Sequence, residues 1–234
     1  MTVNSLIPST LNSIDCNRVA LVITDPQIDF LSEAGVAWGA VGPSVIKNNV
    51  VNNLESLFSA ATKFEIPVFV SPHYYYESDH GWHFGGALEQ FMHKAQMFKR
   101  AGTACDAIVE NSGADWLERY KPYIHNKNTV VVSSHKVYGP ESNDLVLQLR
   151  KRDINQVVLA GMAANLCVES HMRELVEQGF EVVMVKDATA SASLDEGDGY
   201  DAALVNFRFI ASAVLSTAQV VTAFESKSLI PAAI

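Results

Sequence analysis

Three side chains far apart in the chain stand out by chemical type and by what precedes them. Asp25 ends the apolar run RVALVIT and opens DPQIDF; Lys136 follows NTVVVSS, in SSHKVYGP; Cys167 lies six residues after Gly161, which closes INQVVLAG, in GMAANLCVES. A carboxylate, an ammonium and a thiol brought together can do nucleophilic acyl chemistry: the carboxylate takes the thiol proton, the cation stabilises charged forms, and the sulfur attacks a carbonyl carbon. Taken singly, each has a plainer reading. An aspartate before proline forms turns, a lysine on a loop is solvated, and a cysteine at a helix start is a small packing residue. The chemistry therefore depends on the elements that position the three.

Short, nearly continuous apolar runs at residues 18–24, 66–71, 128–134, 154–161, 180–188 and 219–224 read as strands covered on both faces. Helical patterns lie between them at about 44–64, 86–98, 114–123, 141–152, 166–178 and 199–216. This alternation predicts one α/β domain over 1–234, with its core at about 18–224: a three-layer α/β/α, Rossmann-like arrangement around a mostly parallel six-stranded sheet. Ligands of such sheets bind beyond the carboxyl ends of the strands, and Asp25, Lys136 and Cys167 each fall at such an end. Cys167 is expected in the first turn of the 166–178 helix, where free N–H groups, the macrodipole and a nearby lysine favour a thiolate. The first amides of that helix are placed to hold an oxyanion.

Composition narrows the function classes. The net charge of −9 over 234 residues argues against nucleic acid and anionic membrane as partners. Three cysteines, Cys16, Cys105 and Cys167, are far apart and form no CxxC pair, which argues against a disulfide framework or structural zinc and fits a reducing cytoplasm. No run approaches about 18 apolar residues, and the first residues do not read as a signal sequence, so a soluble, unprocessed protein is expected.

One irregular stretch, SPHYYYESDHGWHFGG (71–86), is of a length that is often functional. His73, Tyr75 and Trp82 within it are candidate substrate contacts, and no period tells which of its rings point inward. His73, Asp79, His80 and His83 match zinc by ligand type but not by spacing, and no metal is assigned. Glu169 and Arg173, four apart on one helix, are expected to pair with each other or with a neighbouring strand end. Cys105 and the acidic turn DEGDGY are given no chemistry.

The residues from about 18 to 224 resemble the isochorismatase-like cysteine hydrolases, which include nicotinamidases, N-carbamoylsarcosine amidohydrolases, biuret hydrolases and isochorismatases. TDPQIDF is similar to the family's D-x-Q-x-D-F opening, Lys136 to its mid-chain lysine, and GMAANLCVESHMRE to its segment around the cysteine. The resemblance implies Asp25 as general base, Lys136 as activating cation and Cys167 as nucleophile. It also implies a cis peptide between Met162 and Ala163, an oxyanion hole from the Ala163 and Cys167 amides, Phe30 as a pocket aromatic, and a homo-oligomer, dimer or tetramer. Ala164 and Asn165 replace the family's Thr-Asp pair, His171 stands where threonine is common, and Ser71 occupies the aspartate position of the nicotinamidase metal site.

These readings together predict a cofactor-free amidohydrolase that cleaves a C–N bond of a small amide or N-carbamoyl compound through a covalent thioester. Two alternatives stay open. One is a vinyl-ether hydrolase that uses Asp25 and Lys136 with Cys167 as bystander; the other is a catalytically silent binding protein of the same fold.

Overall fold

The computed structural model describes residues 9–11, 13–79, 83, 85–99, 110 and 112–226. The strands are β1 (Val19–Thr24), β2 (Val68–Ser71), β3 (Thr129–Val131), β4 (Gln156–Met162), β5 (Glu181–Ala190), β6 (Ser193–Leu194), β7 (Gly197–Asp198) and β8 (Ala213–Leu215). Six of them form an all-parallel sheet in the order β3-β2-β1-β4-β5-β8, while β6 and β7 make a small antiparallel pair. Every residue of β1 and β4 is buried, as their unbroken apolar runs require of central strands covered on both sides.

The helices are α1 (Ile28–Leu31), α2 (Trp38–Lys47), α3 (Val50–Lys63), α4 (Ala87–Ala95), α5 (Lys121–Ile124), α6 (Leu145–Lys151), α7 (Glu169–Glu177), α8 (Gly199–Ile210) and α9 (Thr217–Ser226). Alternate β1 residues divide between two cores. Val19, Leu21 and Ile23 pack with Leu54 and Phe58 of α3 and with Val220 and Phe224 of α9. Ala20 and Val22 pack with Leu149 of α6, Met172 and Leu175 of α7, and Phe207 of α8. Period-two side chains on a strand meet period-3.6 stripes on the helices, giving the three layers expected from the sequence.

The element boundaries differ from expectation in ways that have physical causes. Residues 219–224, expected as the last strand, belong to α9, where Val220, Ala223 and Phe224 are buried at helical spacing. A short apolar run has the same composition in either state. The sixth strand is β8, taken from the end of the helix expected over 199–216. The helix expected over 44–64 is two, separated at Asn49, whose left-handed backbone (φ 53°) breaks the ladder. The 114–123 helix is reduced to short turns at Glu118–Tyr120 and α5.

Register determines what stands at the sheet's carboxyl rim. Thr24 pairs with Ser71 of β2 and with Gly161 of β4, so the residues just beyond these three lie side by side. His73 and His135 form a further parallel bridge beyond β2 and β3. Gly161 has φ +119°, and a Cβ there would sit 2.0 Å from the Thr24 carbonyl oxygen. Steric and backbone demands coincide at this glycine. Gly161→Ala is expected to cost about 3 kcal/mol, from overpacking together with a strained φ, read as a lowered urea midpoint with unchanged slope.

Candidate active site

Asp25 follows β1 with φ 47°, a conformation uncommon for a non-glycine residue that collects at functional sites. Its N–H is held by the Ser71 carbonyl (3.0 Å), and its side chain is fully buried. Oδ1 accepts a 2.7 Å hydrogen bond from Nε2 of His135, also fully buried. Among the described residues, Oδ2 and His135 Nδ1 are buried without a hydrogen-bond partner. Asp25, His73, His135 and Cys167 converge: one ligand-type atom from each lies within 4.8 Å of all the others.

Cys167 is 3% exposed and sits in a π-turn, Ala164–Val168, that precedes α7. Such turns occur frequently at functional sites. The Met162–Ala163 peptide is cis, as the resemblance implied. The environment of the sulfur reverses one expectation. Burial pushes the thiol well above its ordinary value, and the Asp25 carboxylate pushes it further, through its charge and as acceptor of the thiol proton; the Ala163 and Cys167 amides oppose this by donating toward the sulfur. The expected low-pKa thiolate is therefore absent, because burial and an adjacent anion outweigh the helix terminus. The resting form is a neutral thiol beside a proton acceptor.

The expected place of Lys136 beside Asp25 is taken by His135. Lys136 Nζ bonds Asp79 Oδ2 at 2.6 Å and the Tyr74 carbonyl at 2.9 Å, 4.4 Å from the Tyr76 ring centroid and 5.6 Å from that of Tyr74. His135 is fixed inward by its bridge to His73, and the chain bends at Lys136, whose side chain is held by Asp79 and Tyr74. Nothing in the residue types told which of the adjacent pair faces the thiol.

The other expected site residues divide. His73 is buried in the cluster, with its ring 4.6 Å from that of His135. Burial, then the electrostatic effect of the neighbouring His135, holds it well below the usual imidazole range, so it is neutral. Tyr75 is buried and its hydroxyl shares a 2.9 Å hydrogen bond with His73 Nε2. Phe30 stands one ring back, packed on Phe98 at 5.2 Å, which in turn stacks on His73 at 4.9 Å. Trp82 and His80 lie outside the described residues, as does Cys105. Of the loop's zinc-type set, Asp79 is committed to Lys136 and His83 is exposed. Glu169 and Arg173 do pair, at 2.9 Å.

Several positioning residues carried no signal of this role in the sequence. Gln27 clamps the His73 backbone, accepting from its N–H (2.9 Å) and donating to its carbonyl (2.8 Å). Asp29 accepts from the backbone N–H groups of Val36 and Phe98. His171 donates from Nδ1 to the Cys167 carbonyl (2.7 Å), while its Nε2 accepts from the Ser71 hydroxyl (2.8 Å), which itself accepts from Asn143. Ser71, at the family's metal-aspartate position, thus belongs to a neutral chain that fixes the nucleophile's backbone.

Comparisons with known proteins bear on this arrangement. A profile of the isochorismatase domain matches residues 19–220. Among curated relatives, the isochorismatase family protein YecD of Escherichia coli O157:H7 is 45% identical over 53 residues, 23% of this chain and 28% of that protein. YwoC of Bacillus subtilis is 36% identical over 36% of this chain and 44% of its own, so this chain spans less than half of either relative. The ureidoacrylate amidohydrolase RutB of Variovorax paradoxus is 26% identical over 73% of this chain and 68% of its own. A cysteine hydrolase from Pseudomonas syringae pv. phaseolicola has the same fold, with TM-score 0.77, 20% identity and coverage of 94% and 98%. The N-carbamoylsarcosine amidase of Thermoplasma acidophilum gives TM-score 0.63 at 17% identity, covering 86% and 96%.

Two predictions follow from the electrostatics. Burial pushes the folded-state pKa of His171 down to about 3, while the unfolded chain takes up its proton near the ordinary value. Stability is therefore retained above about pH 6.5 and lost below it, by about 1.4 kcal/mol per pH unit. The urea midpoint should fall between pH 7 and pH 5, less steeply in His171→Asn. For the thiol, Asp25→Asn removes an anion that disfavours thiolate, so Cys167 alkylation at neutral pH should accelerate relative to the wild-type protein, as read by site-resolved mass spectrometry.

Proposed function

The chain belongs to the isochorismatase family, and from that premise we propose that it is a metal-independent cysteine amidohydrolase acting on a small amide or N-carbamoyl compound. The observation that carries the reading is the buried contact of the Cys167 thiol with a carboxylate, flanked by two amides that donate toward the sulfur.

Substrate binding lets Asp25 take the thiol proton as the sulfur attacks the carbonyl carbon. The Ala163 and Cys167 amides then hold the oxyanion. Asp25 returns the proton to the departing ammonia or amine, and a water activated by the same carboxylate hydrolyses the acyl- or carbamoyl-thioester. His135 is a positioning residue: its Nε2–H fixes Oδ1 and leaves Oδ2 open for proton transfer. A neutral thiol suits this scheme, since the proton moves only when the carbonyl is there to accept the sulfur's electrons. His73, Tyr75 and the Phe30–Phe98 pair give the rim an aromatic wall with few polar points, the composition of small-molecule sites. RutB, by name a ureidoacrylate amidohydrolase, and N-carbamoylsarcosine amidase favour a ureido substrate.

A panel of amides and ureido acids scored by ammonia release tests the proposal. Wild-type protein should turn over at least one ureido compound, and Cys167→Ala should lose at least about 10³-fold. His135→Ala should lose about 10²-fold through misplacement of Asp25, whereas Lys136→Ala should stay within about fivefold, as for a partly exposed pair. A vinyl-ether hydrolase would keep most of its rate in Cys167→Ala, and that result would replace this reading.

A further inference from the structure

We propose that Asp25, His73, His135 and Cys167 also bind one thiophilic first-row divalent cation, zinc above all, and that its binding holds the site in an off state. Four segments supply one ligand-type atom each, all buried and all within 4.8 Å of one another. One sulfur, two imidazoles and one carboxylate are the donors zinc takes in four-coordinate sites. This set is distinct from the loop residues Asp79, which is paired with Lys136, and His83, which is exposed.

Charge and hydrogen bonding favour the same conclusion. A thiolate and a carboxylate balance a dication, and neutral imidazoles complete a shell with no net charge, which a buried position requires. His73 comes to such a site already oriented. Its Nε2 is held by Tyr75, whose hydroxyl donates to the Lys136 carbonyl at 3.2 Å, and Gln27 clamps its backbone. Outer partners of this kind orient metal-binding histidines. Among the described residues, the buried atoms Asp25 Oδ2 and His135 Nδ1 have no hydrogen-bond partner, so the cluster keeps polar capacity to spare.

The binding step balances simply. The hydrated cation gives up its waters, the Cys167 S–H bond breaks and an S–metal bond forms. The thiol proton goes to solvent, so one proton is released per ion. In the His135–Asp25 pair the metal replaces the shared hydrogen, and the imidazole stays neutral by carrying its proton on the other nitrogen. The sulfur electrons needed for attack are then in the metal bond. The off state rests on the thiol chemistry proposed above; the binding site does not.

Cobalt(II) titration of the whole protein provides the test. A thiolate-to-cobalt charge-transfer band should rise and saturate at one equivalent, with one proton released into a weakly buffered indicator, and zinc should bleach it. Cys167→Ser should abolish the band, and His73→Gln should weaken cobalt binding by at least about tenfold, with circular dichroism reporting on the fold of both. Absence of the band in wild-type protein, or its survival in Cys167→Ser, overturns the site. Where the panel has supplied a substrate, zinc should stop turnover and a chelator restore it. A cobalt band without turnover of any amide would overturn the hydrolase and leave the cation site standing; turnover without a band does the reverse.

Discussion

Asp25 holds a carboxylate where water does not reach, with one imidazole N–H on one oxygen and a thiol facing it. Burying an anion is costly unless its surroundings are prepared, and much of the local architecture is that preparation. The left-handed turn after β1, the bond from its amide to Ser71 and the His135 contact hold the group in place. Because the thiol is driven up by the same anion, acid and base are set against each other before any substrate arrives. In the proposed reaction, the thiol proton is the one to be moved.

Around that contact the chain uses polar residues as braces. Gln27 and Asp29, two and four residues after Asp25, turn away from the chemistry and tie the β1 end to the His73 and Phe98 segments. Ser71, Asn143 and His171 make a separate uncharged relay beneath the π-turn. Neutrality is enforced there by burial, which holds His171 near 3. The site therefore combines one costly charge with several polar groups that remain uncharged.

Much of this was legible in the residues. Unbroken apolar runs marked the central strands, and the polar residues at their ends marked the rim, which identified Asp25 and Cys167. Two things were not readable. The run at 219–224 has a composition that suits strand or helix, and only its packing against β5 and α3 makes it α9. At 135–136 two basic residues adjoin, and the choice between them is fixed by the bridge of His135 to His73 and not by residue type. The sign of the thiol shift was hidden for a related reason. The helix-terminus effect is local and visible in sequence, whereas burial and the Asp25 charge arrive from elsewhere in the fold.

Lys136 grips the loop. Its ammonium joins Asp79, the Tyr74 carbonyl and the Tyr74 and Tyr76 rings, while Tyr75 between them turns inward to His73. One short segment is thus stapled to the end of β3 on its outer side and to the reaction centre on its inner side. Under the proposed function, anchoring on two sides lets this segment hold the aromatic wall and the proton-handling groups in one fixed relation.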